Sequence, residues 1–259
     1  MIVLVHAVVS LGMLIVVPLG LTLLPTRTTS TRWWFAFAVP GAVALWLPRG
    51  PLSIALASVY FAGTLVLVGL AARHFFRHRK LSARQVALYT ALATPSVAAL
   101  ALVAERSSYE LFGFNLTVLS LTVAHFHFAG FAAALMAYLA ADGLAAVSVP
   151  LGTAIVLLGF FLGDPVELAG AVVLTTGMWL VGSNLWQRSR RADRSTAILL
   201  VVSGSVLVVT MLLAVTWALG HVVDTPYLPL PWMVATHGVA NAVGFALCGV
   251  LAFRREGAR

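Results

Sequence analysis

Charged residues are scarce in this sequence. Only 9% of its 259 residues are Asp, Glu, Lys or Arg, whereas 61% are hydrophobic, and the mean hydropathy is +1.01. Soluble domains carry about a quarter charged residues. The composition therefore excludes an ordinary soluble domain and predicts an integral membrane protein.

Cysteine and the common metal motifs are also nearly absent. Cys248 is the only cysteine, which excludes an intramolecular disulfide and a cluster of metal-binding thiolates. The chain contains no HExxH or CxxC motif, and it has no CxxCH motif for covalent attachment of haem. We therefore expect no metal or other cofactor. Haem held between His237 and either His125 or His127 remains an alternative.

Long apolar runs account for most of the chain. They lie near residues 2–24, 33–48, 51–72, 85–104, 116–140, 145–162, 165–186, 196–219 and 230–252. A helix needs about 20 apolar residues to cross a bilayer, so the two shortest runs leave seven or eight crossings as alternatives. We predict an all-α polytopic bundle of about nine transmembrane helices, forming a single domain over residues 1–259. The first run lacks a basic leader region, so we expect it to be retained as a span.

Basic residues alternate between the predicted loops. Of the 16 Lys and Arg residues, all except Arg49 and Arg106 fall on one side of the predicted bundle. Because basic loops favour the cytoplasmic side, this bias predicts an outside amino terminus and an inside carboxyl terminus. It also accounts for the net charge of +8 without a nucleic-acid partner. Abundant Ala, Val and Arg suit a high-GC bacterium, so the bacterial cytoplasmic membrane is the expected location.

Histidines are concentrated in the predicted outer half of the membrane. His74 and His78 belong to a basic inner loop, and the other five lie in or near the outer half: His6, His125, His127, His221 and His237. Ionisable groups inside a membrane are costly and usually functional. On a regular helix His125 and His127 point about 200° apart, so they cannot bind one centre together. His237 and Asn241 are four residues apart and share a helix face.

Carboxylates and aromatic residues accompany these histidines at the predicted outer mouth. The candidate catalytic residues are Glu105, Glu110, His125, His127, Asp224 and His237. The candidate substrate contacts are Asn115, Phe126, Phe128, Phe131, Trp217, His221, Tyr227 and Asn241. Carboxyl groups can donate protons, and aromatic faces can stabilise a developing carbocation. The combination favours a cyclase or isomerase that acts on an isoprenoid or epoxy-isoprenoid chain in an outer-half pocket.

Other interpretations account for the same residues. The histidines can serve as hydrogen-bonding residues between helices. A transporter or lipophile-binding protein can use the same pocket, although ion-coupled carriers usually have carboxylates within the spans and internal repeats. Haem binding is the third alternative. In each case the expected partners are membrane lipid and a lipophilic small molecule, without nucleic acid.

Three short motifs carry a resemblance to a known family. FGFN at 112–115, LTVAHFHFAGF at 121–131 and HGVANAVGF at 237–245 resemble the YndJ-like family of bacterial integral membrane proteins. The resemblance covers about residues 105–250 and implies a helical membrane fold, without naming a reaction. More loosely, the size and the outer-half polar cluster are similar to small membrane-bound terpene cyclases. The DxDD and DDxxD motifs of soluble cyclases are absent, so such an enzyme would use scattered single residues.

Overall fold

The computed structural model describes residues 1–25, 31–79 and 81–257, and helices account for most of them. Their bounds are α1 Ile2–Leu21, α2 Arg32–Trp46, α3 Pro51–His78, α4 Ala83–Arg106, α5 Leu116–Ala140, α6 Gly143–Leu162, α7 Asp164–Ser189, α8 Arg194–Val222 and α9 Leu230–Gly257. No strand occurs within these ranges. Arg27, Lys80 and Arg259, which contribute to the predicted charge bias, lie outside the described residues.

The prediction of about nine helices is confirmed. Eight of them are long and apolar enough to cross a membrane. The exception is α2, which has 15 residues and a length of about 22 Å at the usual helical rise. Several helices extend beyond their apolar runs, because polar end residues continue the backbone hydrogen bonding outside the hydrocarbon. α3, for example, continues to His78 instead of ending near residue 72.

Turn residues and side-chain caps set several helix starts. The side chain of Asn115 accepts a hydrogen bond from Val118 N and caps α5, and Asp193 caps α8 in the same way. The FGFN motif ends at Asn115 and overlaps the 3-10 turn Leu111–Gly113. Gly113 has a φ of 81°, a conformation that favours glycine. This motif therefore starts a helix.

Contacts among the described residues form two compact units. Unit 1 comprises Met1, Leu81–Ala87 and Ala133–Arg259, and unit 2 comprises Ile2–Lys80 and Leu88–Ala132. The predicted single membrane domain stays a prediction.

Both units contain π-helical segments within long helices. In unit 2 these are Gly12–Val16 of α1 and Phe126–Ala132 of α5. In unit 1 they are Val234–Gly238 and Ala240–Leu247 of α9. Such segments are rare and occur frequently at functional sites. Three of the four coincide with the HFHFAGF and HGVANAVGF motifs.

Candidate functional site

His127 lies in the fully buried core of unit 2. Its Nδ1 is 2.7 Å from the carbonyl oxygen of Val123, and its Nε2 is 2.6 Å from the hydroxyl of Tyr60. A carbonyl can only accept, so Nδ1 carries the proton; full burial disfavours a second proton on Nε2, which therefore accepts from the Tyr60 hydroxyl. The imidazole is therefore neutral, and both of its nitrogens are hydrogen-bonded.

The surroundings of His127 are closely packed. Gly12 of the α1 π-helical segment leaves room for the imidazole, because a Cβ added there would lie 3.1 Å from His127 Cβ. On the other side, the Tyr60 ring contacts the ring of Trp34, whose indole donates to the carbonyl of Met13 at 2.8 Å. These contacts position His127 as a fixed part of the unit 2 core.

The neighbours of His127 in the motif occupy different environments. His125 is half-buried and meets Phe126 edge to face, which agrees with the predicted divergence of the two histidines. Phe126, Phe128 and Phe131 are all buried within the core of unit 2. Their role as substrate contacts stays a prediction, and the described contacts show packing.

Glu105 forms a buried ion cluster with two arginines in unit 2. Arg49 Nη2 lies 2.7 Å from Glu105 Oε1, and the guanidinium of Arg106 bonds to Oε2. Arg106 is 4% exposed. It also donates to the carbonyl oxygens at the end of α2, which belong to Ala44, Leu45 and Leu47. Glu105 thus pairs with two guanidinium groups, which leaves the cluster with one net positive charge, and joins the α2–α3 turn to the end of α4.

This cluster accounts for the two exceptions in the charge pattern. Arg49 and Arg106 are the basic residues that the loop bias places on the sparsely charged side, and both pair with one carboxylate. His6, near the start of α1, lies within electrostatic range of all three residues and contacts the ring of Trp46 edge to face. Sequence reasoning identified Glu105 as a candidate proton donor and missed its partners.

His237 is the centre of a polar group in unit 1. Its Nδ1 is 2.7 Å from the carbonyl oxygen of Thr210 on α8, so this nitrogen carries the proton. Its Nε2 faces the Asn241 amide nitrogen at 3.3 Å, and the Asn241 oxygen is 2.9 Å from the Thr210 hydroxyl. The predicted pairing of His237 with Asn241 on one face is present. Thr210 was not predicted.

One face of α8 supplies the partners of the α9 π-helical segments. Ser203, Thr210 and Trp217 are spaced by seven residues, or about two helical turns, and therefore share a face. The Ser203 hydroxyl donates to the carbonyl of Phe245 at 2.8 Å, and Thr210 binds His237 and Asn241. A search for polar residues at seven-residue intervals would have found Ser203 and Thr210.

Three predicted substrate contacts meet at the end of α8. The ring of Trp217 lies 5.0 Å from those of His221 and Tyr227, and His221 and Tyr227 are 4.9 Å apart. Gly220 permits this approach, because a Cβ there would overlap the Tyr227 ring. Glu167, near the start of α7, interacts electrostatically with His221. The cluster lies about 10 Å along α8 from Thr210.

The remaining predicted residues are placed separately. Glu110 and Asp224 are exposed, and Asp224 lies in the short segment between His221 and Tyr227. Asn115 caps α5, as described above. His125 and His127 belong to unit 2, whereas His237 and Asn241 belong to unit 1. A pocket shared by these residues stays a prediction.

Neither histidine environment resembles a metal cluster. Among residues 1–25, 31–79 and 81–257, no three His, Cys, Asp or Glu side chains are grouped as metal ligands would be. Both nitrogens of His127 are engaged, which does not fit axial ligation of haem. His237 differs, because only Nδ1 has a short hydrogen bond, and a bond of this kind commonly orients a metal-binding histidine.

A family model described as YndJ-like protein matches residues 7–245 of the chain. The likeness therefore extends over nearly the whole chain, well beyond the region near 105–250 that the motifs indicate. No curated protein and no solved structure matches the chain.

Proposed function

The chain belongs to the YndJ-like protein family, and from this premise and the geometry of His237 we propose a membrane-embedded acid–base enzyme of cyclase or isomerase type. Its substrate is a lipophilic isoprenoid or epoxy-isoprenoid, and its location is the bacterial cytoplasmic membrane. The observation that carries the proposal is the hydrogen bond from His237 Nδ1 to the Thr210 carbonyl. This bond fixes the tautomer whose Nε2 lone pair can accept a proton.

The contacts of His237 suit a proton acceptor better than those of His127. Nε2 of His127 receives a 2.6 Å hydrogen bond from Tyr60 in a fully buried core. Nε2 of His237 has only the 3.3 Å contact from Asn241, which a substrate can displace at low cost. Thr210 and Asn241 then act as positioning residues. His127 is assigned to the structure of unit 2.

The acid in this proposal is Asp224. Glu105 is less suited, because two arginines pair with its carboxylate, and Glu110 is the second candidate for the acid. Asp224 belongs to the same unit as His237 and follows His221, next to the ring cluster with Trp217 and Tyr227. Electron-rich aromatic faces of this kind stabilise a nearby cation. A cation formed beside Asp224 would therefore lie next to the aromatic rings of this cluster.

The proposed reaction is balanced without an oxidant or a reductant. Asp224 gives a proton to the epoxide oxygen or the alkene, and the resulting carbocation is attacked by a second alkene, which forms the ring bond. His237 Nε2 removes a proton from the carbon next to the final cation, which forms the new double bond. The proton returns to Asp224 through water, so substrate and product are isomers.

Conversion of epoxy-prenyl substrates by membranes that contain the protein tests this proposal. We expect cyclic products by mass spectrometry, and His237→Gln should reduce their rate by 10²–10⁴-fold, about the usual contribution of general acid–base catalysis. Thr210→Val should keep the Thr210 carbonyl and cause a smaller loss. His74→Gln is the matched control, because His74 lies near the end of α3 in unit 2 and has no part in the proposed reaction, and it should leave the rate unchanged.

Other outcomes would overturn the enzyme assignment. If these substrates return unchanged while proteoliposomes accumulate a solute, the protein is a carrier. A Soret band in the purified protein that His237→Gln removes would assign the same residue to haem. Equal product rates in His237→Gln and His74→Gln would remove His237 from the mechanism.

A further inference from the structure

A cleft in unit 1 contains arginines that the proposed reaction does not use. It has a volume of about 430 Å³ and is lined by Gln187, Arg188, Arg191 and Glu256. The lining comes from the end of α7, the turn that follows it and the end of α9.

The charges in the cleft are unequally paired. Arg188 Nε binds both carboxylate oxygens of Glu256, at 3.0 and 2.8 Å, and its guanidinium lies over the Phe253 ring. This pair is electrically neutral. Arg191 is exposed and forms no side-chain hydrogen bond or ion pair with the described residues. It therefore gives the cleft a net positive charge that faces solvent.

The cleft lies at the ends of helices that are long and apolar enough to cross a membrane. Two apolar helices end beside it and a third begins there: α7 at Ser189, α9 at Gly257 and α8 at Arg194. Trp186 precedes the lining residues, is 45% exposed and donates to the Ser205 hydroxyl at 3.2 Å. Exposed tryptophans of this kind mark the level of lipid headgroups. Arg190, Arg194, Arg254 and Arg255 add positive charge at the same end.

We propose that this cleft binds the phosphate of an anionic phospholipid headgroup. Arg191 supplies the charge and hydrogen bonds to the phosphate, and the Arg188–Glu256 pair forms the opposite wall. The acyl chains would lie along the apolar surface next to Trp186. Guanidinium groups bind phosphate oxygens in a planar, two-point geometry, which distinguishes this site from general attraction to a charged surface. The inference is independent of the proposed reaction.

Native mass spectrometry of the purified full chain tests the site. Equal amounts of phosphatidylglycerol and phosphatidylcholine are added, and adducts of each are counted. We expect phosphatidylglycerol to be favoured about fivefold, which corresponds to one arginine acting near an anionic surface. Arg191→Gln should remove the preference. Arg190→Gln is the matched control, because it removes the same charge one residue away without lining the cleft, and it should keep the preference.

The outcomes separate the possible sources of the phosphate. If Arg190→Gln and Arg191→Gln lose the preference equally, the attraction is general and the site is overturned. Glycerol 3-phosphate at the lipid concentration should leave the adducts in place. If it displaces them, the cleft binds a soluble phosphate and the lipid assignment is wrong. No preference in the unaltered chain would also overturn the proposal.

Discussion

Two buried polar residues of unit 2, His127 and Glu105, are each held by hydrogen bonds or ion pairs to a few partner residues. His127 is neutral and forms hydrogen bonds through both nitrogens, whereas Glu105 is charged and pairs with two arginines. When a buried polar group loses one partner, the loss in folding free energy exceeds the net stabilisation by the hydrogen bond, because the desolvation of the remaining group is no longer compensated. The stability of the protein should therefore fall on near-isosteric substitution of either residue or of its partners.

Tyr60→Phe should destabilise the protein through His127. The substitution keeps the ring and removes the hydroxyl that donates to Nε2, which leaves a fully buried acceptor without its partner. We expect a loss of about 1–3 kcal/mol in the free energy of unfolding, measured by denaturant-induced unfolding in detergent. Tyr109→Phe is the control, because Tyr109 is 62% exposed. Equal effects of the two substitutions would show that the buried hydrogen bond adds no stability.

Glu105→Gln separates a structural role from a catalytic one. Removing the carboxylate charge leaves the buried Arg106 guanidinium without its counter-ion, which typically costs about 3–5 kcal/mol. We expect a lower unfolding midpoint and less folded protein in the membrane. Glu110→Gln is the control on the same side, since Glu110 is exposed, and it should keep the midpoint. A normal midpoint with lost product formation would instead make Glu105 the proton donor.

The side-chain partners of the candidate site residues were only partly predictable from the sequence. The pairing of His237 with Asn241 follows from their four-residue spacing, and the sequence predicted it correctly. The partners of Glu105, His127 and His237 were not predicted, since Arg49 lies in the α2–α3 turn and Tyr60 and Thr210 lie on other helices. A short spacing in the sequence determines which residues share a helix face, whereas the helix that covers this face depends on tertiary packing.

The α6–α7 hairpin shows the importance of small residues at the scale of helices. Gly152 and Gly159 of α6 are seven residues apart, as are Gly170 and Gly177 of α7, so each pair lies on one face. A Cβ at Gly152 would lie 2.5 Å from the backbone of Leu174, and one at Gly159 would lie 2.5 Å from that of Glu167. Small residues of this kind allow membrane helices to approach closely.

Gly152→Ala should destabilise this hairpin. The added methyl group would overlap backbone atoms of α7, which cannot rotate away as a side chain would, so the helices must separate. We expect a loss of about 1–3 kcal/mol in the free energy of unfolding. Gly69→Ala on α3 is the matched control, because nothing lies within 4 Å of its added Cβ. It should stabilise the protein slightly, since alanine is a better helix former than glycine.

The two substitutions are compared by unfolding midpoint in the same detergent. If Gly152→Ala raises the midpoint as Gly69→Ala is expected to do, the close approach of α6 and α7 is not required.

The sequence predicted both helices, because hydropathy determines where spans lie. The sequence did not predict how closely α6 and α7 approach each other. The π-helical segments were also missed, since they depend on packing around Gly12 and on the side chains of α8.

Ion pairs join helix ends within each of the two units. In unit 2, Arg49 and Glu105 join the α2–α3 turn to the end of α4, and His6 places the start of α1 near the same end. In unit 1, Arg188 binds Glu256, which joins the end of α7 to the end of α9. The short helix α2 therefore returns the chain to the end of unit 2 where α1 begins. If α2 crosses together with the eight longer helices, the odd number of crossings predicts termini on opposite sides of the membrane.

Thiol labelling of intact cells tests the predicted orientation, in which the amino terminus is outside. Cys248 is replaced by serine, which removes the only cysteine, and single cysteines are introduced as Ile2→Cys and Gly257→Cys. We expect a membrane-impermeant maleimide to label Ile2→Cys in intact cells and Gly257→Cys only after lysis. The reverse pattern would invert the orientation. Labelling of both in intact cells would mean an even number of passes, with α2 failing to cross.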